Sequence, residues 1–309
     1  MSLKYAIIGT GAIGGYYGAR LAKVGKDVHF LLHSDYNYVK QHGLRVDSVD
    51  GDFTLAAINA YDSTKDMPRC DVVLVCLKST NNHLLKNLLP PLLHKDTLVI
   101  LIQNGLGLEE DLHQEFPGLH IAGGLAFICS SKVGEGHIAH FDYGKLNLGS
   151  YSCKDINILE QVCSDLVQAG IETQILELEL ARWMKLVWNI PYNGMTVVLN
   201  TATDILMNNP STYTLLRDMM LEVIRAANYV GKGRFSIPES YADQMLEMTR
   251  QMTPYSPSMK LDFDSCRPLE IDYIYTHPVA EAGKAGYEMS RVSMLEKQLR
   301  FIQDQYIKK

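Results

Sequence analysis

Tyr5-Ala6-Ile7-Ile8-Gly9-Thr10-Gly11-Ala12-Ile13-Gly14 carries an apolar run straight into three spaced glycines. The run has the length of a buried strand, and residues 14–24 continue with helical periodicity. In that setting each glycine has a separate task. Gly9 permits the tight turn, Gly11 lets the backbone approach a pyrophosphate, and Gly14 lets the helix pack closely on the strand. The helix that follows aims its free N–H groups and the positive end of its dipole at an anion. Gly9, Thr10, Gly11, Ala12, Ile13 and Gly14 are therefore the first candidate cofactor-binding residues.

Reading outward, short apolar runs at 28–32, 71–76 and 98–102 alternate with helical patterns at 82–93 and 109–116. Continuous apolar strands separated by helices imply an α/β fold whose parallel sheet is covered on both faces, a Rossmann-type doubly wound arrangement. Residues 43–61 break the rhythm. The Asp50-Gly51 turn between Leu44-Arg-Val46 and Phe53-Thr-Leu55 predicts a small antiparallel excursion. The last expected strand is 171–176, and helical patterns fill the remainder. Leu215, Met219, Val223, Ala226 and Val230 recur at helical steps, as do Leu295, Leu299 and Ile302. Pro238 opens a further helix, and Asn208-Asn-Pro210, Gly231-Lys-Gly233 and Pro254-Tyr-Ser-Pro257 read as loops. The expected layout is a dinucleotide-binding domain over residues 1–176 and an all-helical substrate and catalytic domain over 177–309.

The chain has 309 residues, with 29 lysines and arginines against 35 aspartates and glutamates, a net charge of −6. An acidic chain without a basic run is a poor partner for nucleic acid. No apolar stretch reaches the ~18 residues that span a bilayer, and the N-terminus shows no signal-peptide pattern. Six scattered cysteines without a CxxC pair read as reduced thiols of a cytoplasmic protein. No metal is expected. His137 and His140 lie on a strand-like alternation, where residues three apart face opposite ways. The apolar C-terminal helices leave open whether they bury a homodimer interface or only their own core.

Two further stretches carry chemistry. After the second strand comes Leu31-Leu-His33-Ser34-Asp35, where an NAD site takes an acid and an NADP site a cation. His33 and Ser34 suit a phosphate, Asp35 a ribose hydroxyl, so this position alone leaves the choice open. Later, Lys185, Asn189, Asn193, Thr196 and Asn200 fall on one stripe of a helix whose flanks include Trp183, Leu186, Val187, Trp188 and Ile190. A polar stripe on an otherwise apolar helix must find partners or a ligand. Pro191 within it implies a kink or a break.

Taken in order, these motifs resemble the ketopantoate reductase (2-dehydropantoate 2-reductase) family. The resemblance spans nearly the whole chain. It rests on the glycine motif, Leu77-Lys78, Gln103-Asn104-Gly105, the Lys185/Asn189/Asn193 helix, and the Ser258…Asp262…Glu270-Ile-Asp-Tyr block. It implies a Rossmann domain, a helical domain and an active site in the cleft between them. It also implies stereospecific reduction of 2-dehydropantoate to (R)-pantoate with NADP(H), on the way to pantothenate and coenzyme A. Lys185 matches the catalytic lysine and Glu270 its supporting glutamate. Asn104, Asn189, Asn193 and Ser258 match substrate-binding positions. Lys78, with Asn104 and Glu270, matches positions near the cofactor, and His33 and Ser34 stand at the 2′-phosphate. Two departures are visible: His33 stands where arginine is common, and Tyr275-Thr-His277-Pro278 replaces the usual Asn-Gly. The departures keep two other readings in view, a dehydrogenase of another small 2-oxo acid and a dinucleotide-binding sensor without turnover.

The implied chemistry is coherent. Hydride delivery to a ketone carbon leaves negative charge on oxygen, and an ordinary lysine, with a pKa of ~10.4, is an ammonium at neutral pH. Glu270 would hold that ammonium charged. Ser258 and the amides bind carboxylate and hydroxyl without adding negative charge.

Overall fold

The structure, a computed structural model, describes residues 2–252 and 256–307. It divides into two compact units, Met1–Gln103 with Leu108–Leu178, and Asn104–Gly107 with Glu179–Lys309.

The first unit is built on one nine-stranded sheet. Its strands are β1 (Lys4–Ile8), β2 (Asp27–Leu31), β3 (Leu44–Ser48), β4 (Phe53–Leu55), β5 (Asn59–Tyr61), β6 (Val72–Val75), β7 (Leu98–Leu101), β8 (His120–Gly134) and β9 (His137–Ser150). Across the sheet the order is β4-β3-β9-β8-β7-β6-β1-β2-β5. Among the described residues only β3–β4 and β8–β9 pair antiparallel. Helices α1 (Ala12–Lys23), α2 (Tyr36–His42), α3 (Leu85–Leu88), α4 (Leu108–Glu115) and α5 (Ile156–Gln168) connect and cover it. β6 and β7 are buried along their whole length, as is β1 beyond Lys4, because helices lie on both faces. The direction of winding reverses at β1, which pairs with β2 on one side and β6 on the other. Such a switch point, at the carboxyl ends of the strands, is where open α/β sheets take ligands.

The antiparallel excursion is present as β3–β4, with Leu44 opposite Leu55 and Gly51 turning at a φ of +106°. Two expectations need correction. Residues 82–93 are not one helix. The 3₁₀ turn Ser79–Leu84 leads into α3, and Pro90-Pro91 then impose a second 3₁₀ turn, Pro90–Leu92. Segment 171–176 is extended but forms only an isolated bridge, Leu148 with Ile175. It still lies along β9, through Leu146 N–H to the Glu172 carbonyl and Leu176 N–H to the Leu148 carbonyl.

The second unit is helical: α6 (Leu178–Val198), α7 (Thr203–Asn208), α8 (Pro210–Gly231), α9 (Ser240–Gln251), α10 (Ser258–Asp264), α11 (His277–Lys284) and α12 (Ser290–Ile307), with the π-helical turn Asp272–Thr276 before α11. Its core gathers Trp183, Val187 and Ile190 of α6, Met220 and Val223 of α8, and Leu295 and Leu299 of α12. Within the loop expected at 254–257, residues 254 and 255 lie outside the described residues. No helix among the described residues is long and apolar enough to cross a membrane.

α6 runs unbroken through Pro191. An interior proline costs ~3 kcal/mol, but burial of a side chain such as Val187 or Ile190 returns ~1.5–3 kcal/mol each, so packing on every side holds the helix. The helix ends in a Schellman turn. Thr201 N–H donates to the Thr196 carbonyl at 2.9 Å and Asn200 N–H to Val197 at 3.1 Å, while Asn200 takes a φ of +48°. Asn200 thus caps the helix rather than extending the polar stripe. Thr196 also leaves the stripe, since its hydroxyl donates back to the Tyr192 carbonyl at 2.7 Å.

Candidate active site

The glycine loop leaves β1 at Gly9, whose φ is +93°. A Cβ there would stand 2.8 Å from Leu77 N, so the turn touches the segment after β6 that carries Lys78. A Cβ on Gly14 would lie 2.4 Å from the Gly9 carbonyl oxygen, which is the close helix–strand contact that glycine permits. At Gly11, by contrast, a Cβ meets no protein atom within 4 Å, so the space in front of it is open. Gly11 is also the N-cap of α1, makes no side-chain cap, and no acid follows in the first turn. Uncapped N–H groups facing open space fit a pyrophosphate. Gln103, buried after β7, donates to the Leu77 carbonyl at 2.8 Å and to Asn82 Oδ1 at 2.7 Å, which fixes the loop after β6.

Thr10 Oγ1 donates to the Leu31 carbonyl at 2.8 Å, which fastens the glycine loop to the end of β2. His33 and Ser34 just beyond are exposed, while Asp35 is buried. The two histidines once in question as a metal pair have separate partners. His137 pairs with Asp47 at 2.8 Å, and His140 Nδ1 sits 2.8 Å from Ser48 Oγ.

The other candidates lie in the second unit, Asn104 included. Lys185, Asn189 and Asn193 are spaced one turn apart on α6, with both asparagines buried. Asn193 is 2 % exposed, and its Oδ1 has no hydrogen-bond partner in the protein. An acceptor left that way costs ~1–3 kcal/mol unless a ligand satisfies it. Glu270 is buried, and Ser258 is half-buried at the head of α10. Asp262 in that helix is tied to Arg267 at 3.0 Å, and Asp264 pairs with Lys260.

The π-helical turn, which begins two residues after Glu270, gathers these segments. Leu106 N–H donates to the Tyr273 carbonyl at 2.8 Å, and a Cβ on Gly105 would stand 2.5 Å from Tyr273, so the Asn104 loop lies directly on the turn. Tyr275 Oη donates to the Ile190 carbonyl of α6 at 3.0 Å, between Asn189 and Asn193. The same hydroxyl lies 3.9 Å from Met259 Sδ, beside Ser258. From α12, Arg300 donates to Asp272 at 2.7 Å and to Thr276 at 2.6 Å. One short turn therefore touches all three segments that carry the asparagines and Ser258.

Lys185 departs from an ordinary lysine. Its side chain keeps some solvent contact, yet enough protein encloses the ammonium to push its pKa down to about 7. Burial is the largest cause. The guanidinium of Arg182, one turn earlier, pushes the same way, and the Glu270 carboxylate opposes both. Glu270 thus acts in the expected direction and is outweighed. Arg182, 2 % exposed, is a part of the site that sequence reasoning passed over. A cation three residues before Lys185 on so apolar a helix was its signal.

Comparison with known proteins agrees with this architecture. The chain matches the family described as Ketopantoate reductase PanE/ApbA over residues 5–152, and its C-terminal counterpart over residues 177–303. It is 50 % identical over 305 residues to a 2-dehydropantoate 2-reductase of a Nostoc species, covering 97 % of this chain and 95 % of that one. The crystal structure of 2-dehydropantoate 2-reductase from Geobacter metallireducens GS-15 superposes with a TM-score of 0.93 at 40 % identity, covering 97 % and 99 % of the two chains. A D-mandelate dehydrogenase solved with NADH and anilino(oxo)acetate shares the fold, with a TM-score of 0.86 at 19 % identity and coverage of 98 % and 99 %. By these matches along both its halves, the chain belongs to the ketopantoate reductase family.

Proposed function

We propose that the protein reduces 2-dehydropantoate to (R)-pantoate with NADPH, a step towards pantothenate and coenzyme A. The family is one of NAD(P)-dependent oxidoreductases, and the 50 % identical relative bears the name of this reaction. The observation that carries the proposal is the α6 face. It sets a depressed lysine, whose charged form a buried carboxylate favours, two turns from Asn193, a buried asparagine whose acceptor lacks a partner. In this reading residues 1–176 hold the dinucleotide, through Gly9 to Gly14, His33, Ser34 and Lys78, while 177–309 bind substrate and carry the chemistry.

The nicotinamide, when bound, supplies the hydride. Lys185 donates a hydrogen bond, and then its proton, to the ketone oxygen as negative charge gathers there. Glu270 orients the ammonium and favours its charged form. Asn193 and Asn189, with Asn104 and Ser258, bind the substrate's carboxylate and hydroxyl. A lysine near pKa 7 is a better proton donor than one near 10.5, because less work is needed to remove its proton.

NADPH oxidation over a series of 2-oxo acids tests this. Turnover should be strongest with 2-dehydropantoate, and Lys185→Ala should lower it ~10²–10⁴-fold. Faster turnover of another 2-oxo acid, or an undiminished variant, removes the assignment.

A further inference from the structure

Asp35 is the only acidic side chain between Leu31, where β2 ends, and Lys40. An acid here normally accepts from the ribose hydroxyls of NAD and repels the extra phosphate of NADP. The structure turns this one away. Asp35 is 3 % exposed, and its Oδ2 accepts from Lys132 Nζ at 2.6 Å and from Gly136 N–H at 3.1 Å. Both partners belong to the tip of the β8–β9 hairpin, a hundred residues away. The tip is seated firmly, since a Cβ on Gly136 would lie 2.9 Å from Val39 Cγ2 of α2 and 3.0 Å from the Gly43 carbonyl. Lys132 keeps 30 % of its side chain in solvent, and Ser34 and His33, the two residues before Asp35, are exposed.

We propose that the Lys132–Asp35 pair sets dinucleotide selectivity. It withdraws the carboxylate of the loop after β2, which would otherwise compete with the adenosine 2′-phosphate, and brings a cation to the edge of the site, where the arginine common in the family is replaced by His33. The inference rests on the NADPH preference proposed above. His33 and Ser34 alone supply hydrogen-bond donors but no lysine or arginine. With Asp35 paired to Lys132, the local field no longer opposes the phosphate dianion.

Steady-state kcat/KM for NADPH and for NADH, measured on the same preparation of each variant, gives a ratio that does not depend on the fraction folded. Wild type should favour NADPH. Lys132→Met leaves the Asp35 carboxylate without its cation, and the ratio should fall about tenfold, because the uncompensated negative charge repels the 2′-phosphate. Asp35→Asn should hold or raise the ratio, because Lys132 is released. The double variant should recover part of what Lys132→Met loses. An unchanged ratio in Lys132→Met overturns the proposal, as does an equal fall in Asp35→Asn, which would mark the pair as hairpin packing alone. A wild type that favours NADH overturns the cofactor preference itself, and is read before any variant.

Discussion

Lys185 combines a conflict of forces with a chemical task. Burial and Arg182 favour the neutral amine, Glu270 favours the ammonium, and the balance falls at about 7. If Lys185 must be protonated to act, kcat/KM should fall as pH rises through about 7, approaching a tenfold loss per pH unit. Substrate brings its own carboxylate, which favours the ammonium, so the same limb in kcat should lie at higher pH. A profile that is level through neutrality in both parameters contradicts this. Asn193 presents the opposite bargain. Replacing it with leucine, of similar size, removes the unpartnered buried acceptor, so the unliganded protein should be as stable or more stable by ~1–3 kcal/mol. KM for the keto acid should rise in the same variant, as measured by urea denaturation beside steady-state kinetics. Loss of function with gain of stability would identify Asn193 as a binding residue, whereas loss of both would identify a structural one.

At the scale of elements, the π-helical turn Asp272–Thr276 is the piece on which the site depends. π-turns are rare and recur at functional sites because the wider ring frees groups for other contacts. Here Tyr273 and Tyr275, two residues apart, hold the Asn104 loop and α6. Tyr275→Phe should cost ~1 kcal/mol, the net worth of one buried hydrogen bond, and should lower kcat/KM further than the stability loss explains. Gly194→Ala should cost more, ~1–3 kcal/mol, since the added Cβ would stand 2.5 Å from Leu295 Cδ2 and 2.8 Å from Tyr275 Oη. Denaturant midpoints with the two kinetic constants check both variants. None of this was legible beforehand, because Ile190, Gly105 and Tyr275 are far apart in sequence. Beyond the strand-like alternation at His137–His140, the β8–β9 hairpin was hidden for another reason. Register shifts at Phe127/Ile128, Cys129/Ser130 and Lys132/Gly134 break the period-two pattern that marks a strand.

At the scale of the molecule, two separate hydrophobic clusters back the two units, one around the sheet and one around α6 and α8. Calorimetry should therefore resolve two unfolding transitions, and NADPH should raise the one belonging to the sheet unit, by ~2.7 kcal/mol at a hundred times Kd. A single transition, or a ligand shift confined to the other one, goes against the assignment of the dinucleotide to residues 1–176. The net charge of −6 is no obstacle to anionic ligands, because cations are local: the N-terminus of α1, Lys78, and Lys132 against Asp35. What the sequence determined by itself was whatever depends on neighbours in the chain. That covers the glycine turn, the buried parallel strands, the β3–β4 excursion, and the α6 face that brings Lys185, Asn189 and Asn193 into line. Local spacing and helical period are enough for those. What only the tertiary structure decided were quantities summed over distant segments. Burial and Arg182 bring Lys185 to about 7 where an isolated lysine stays charged. A remote hairpin decides that Asp35 is occupied, and a π-turn joins Asn104 to α6. Desolvation and pairing depend on three-dimensional distance, and the order of residues does not contain it.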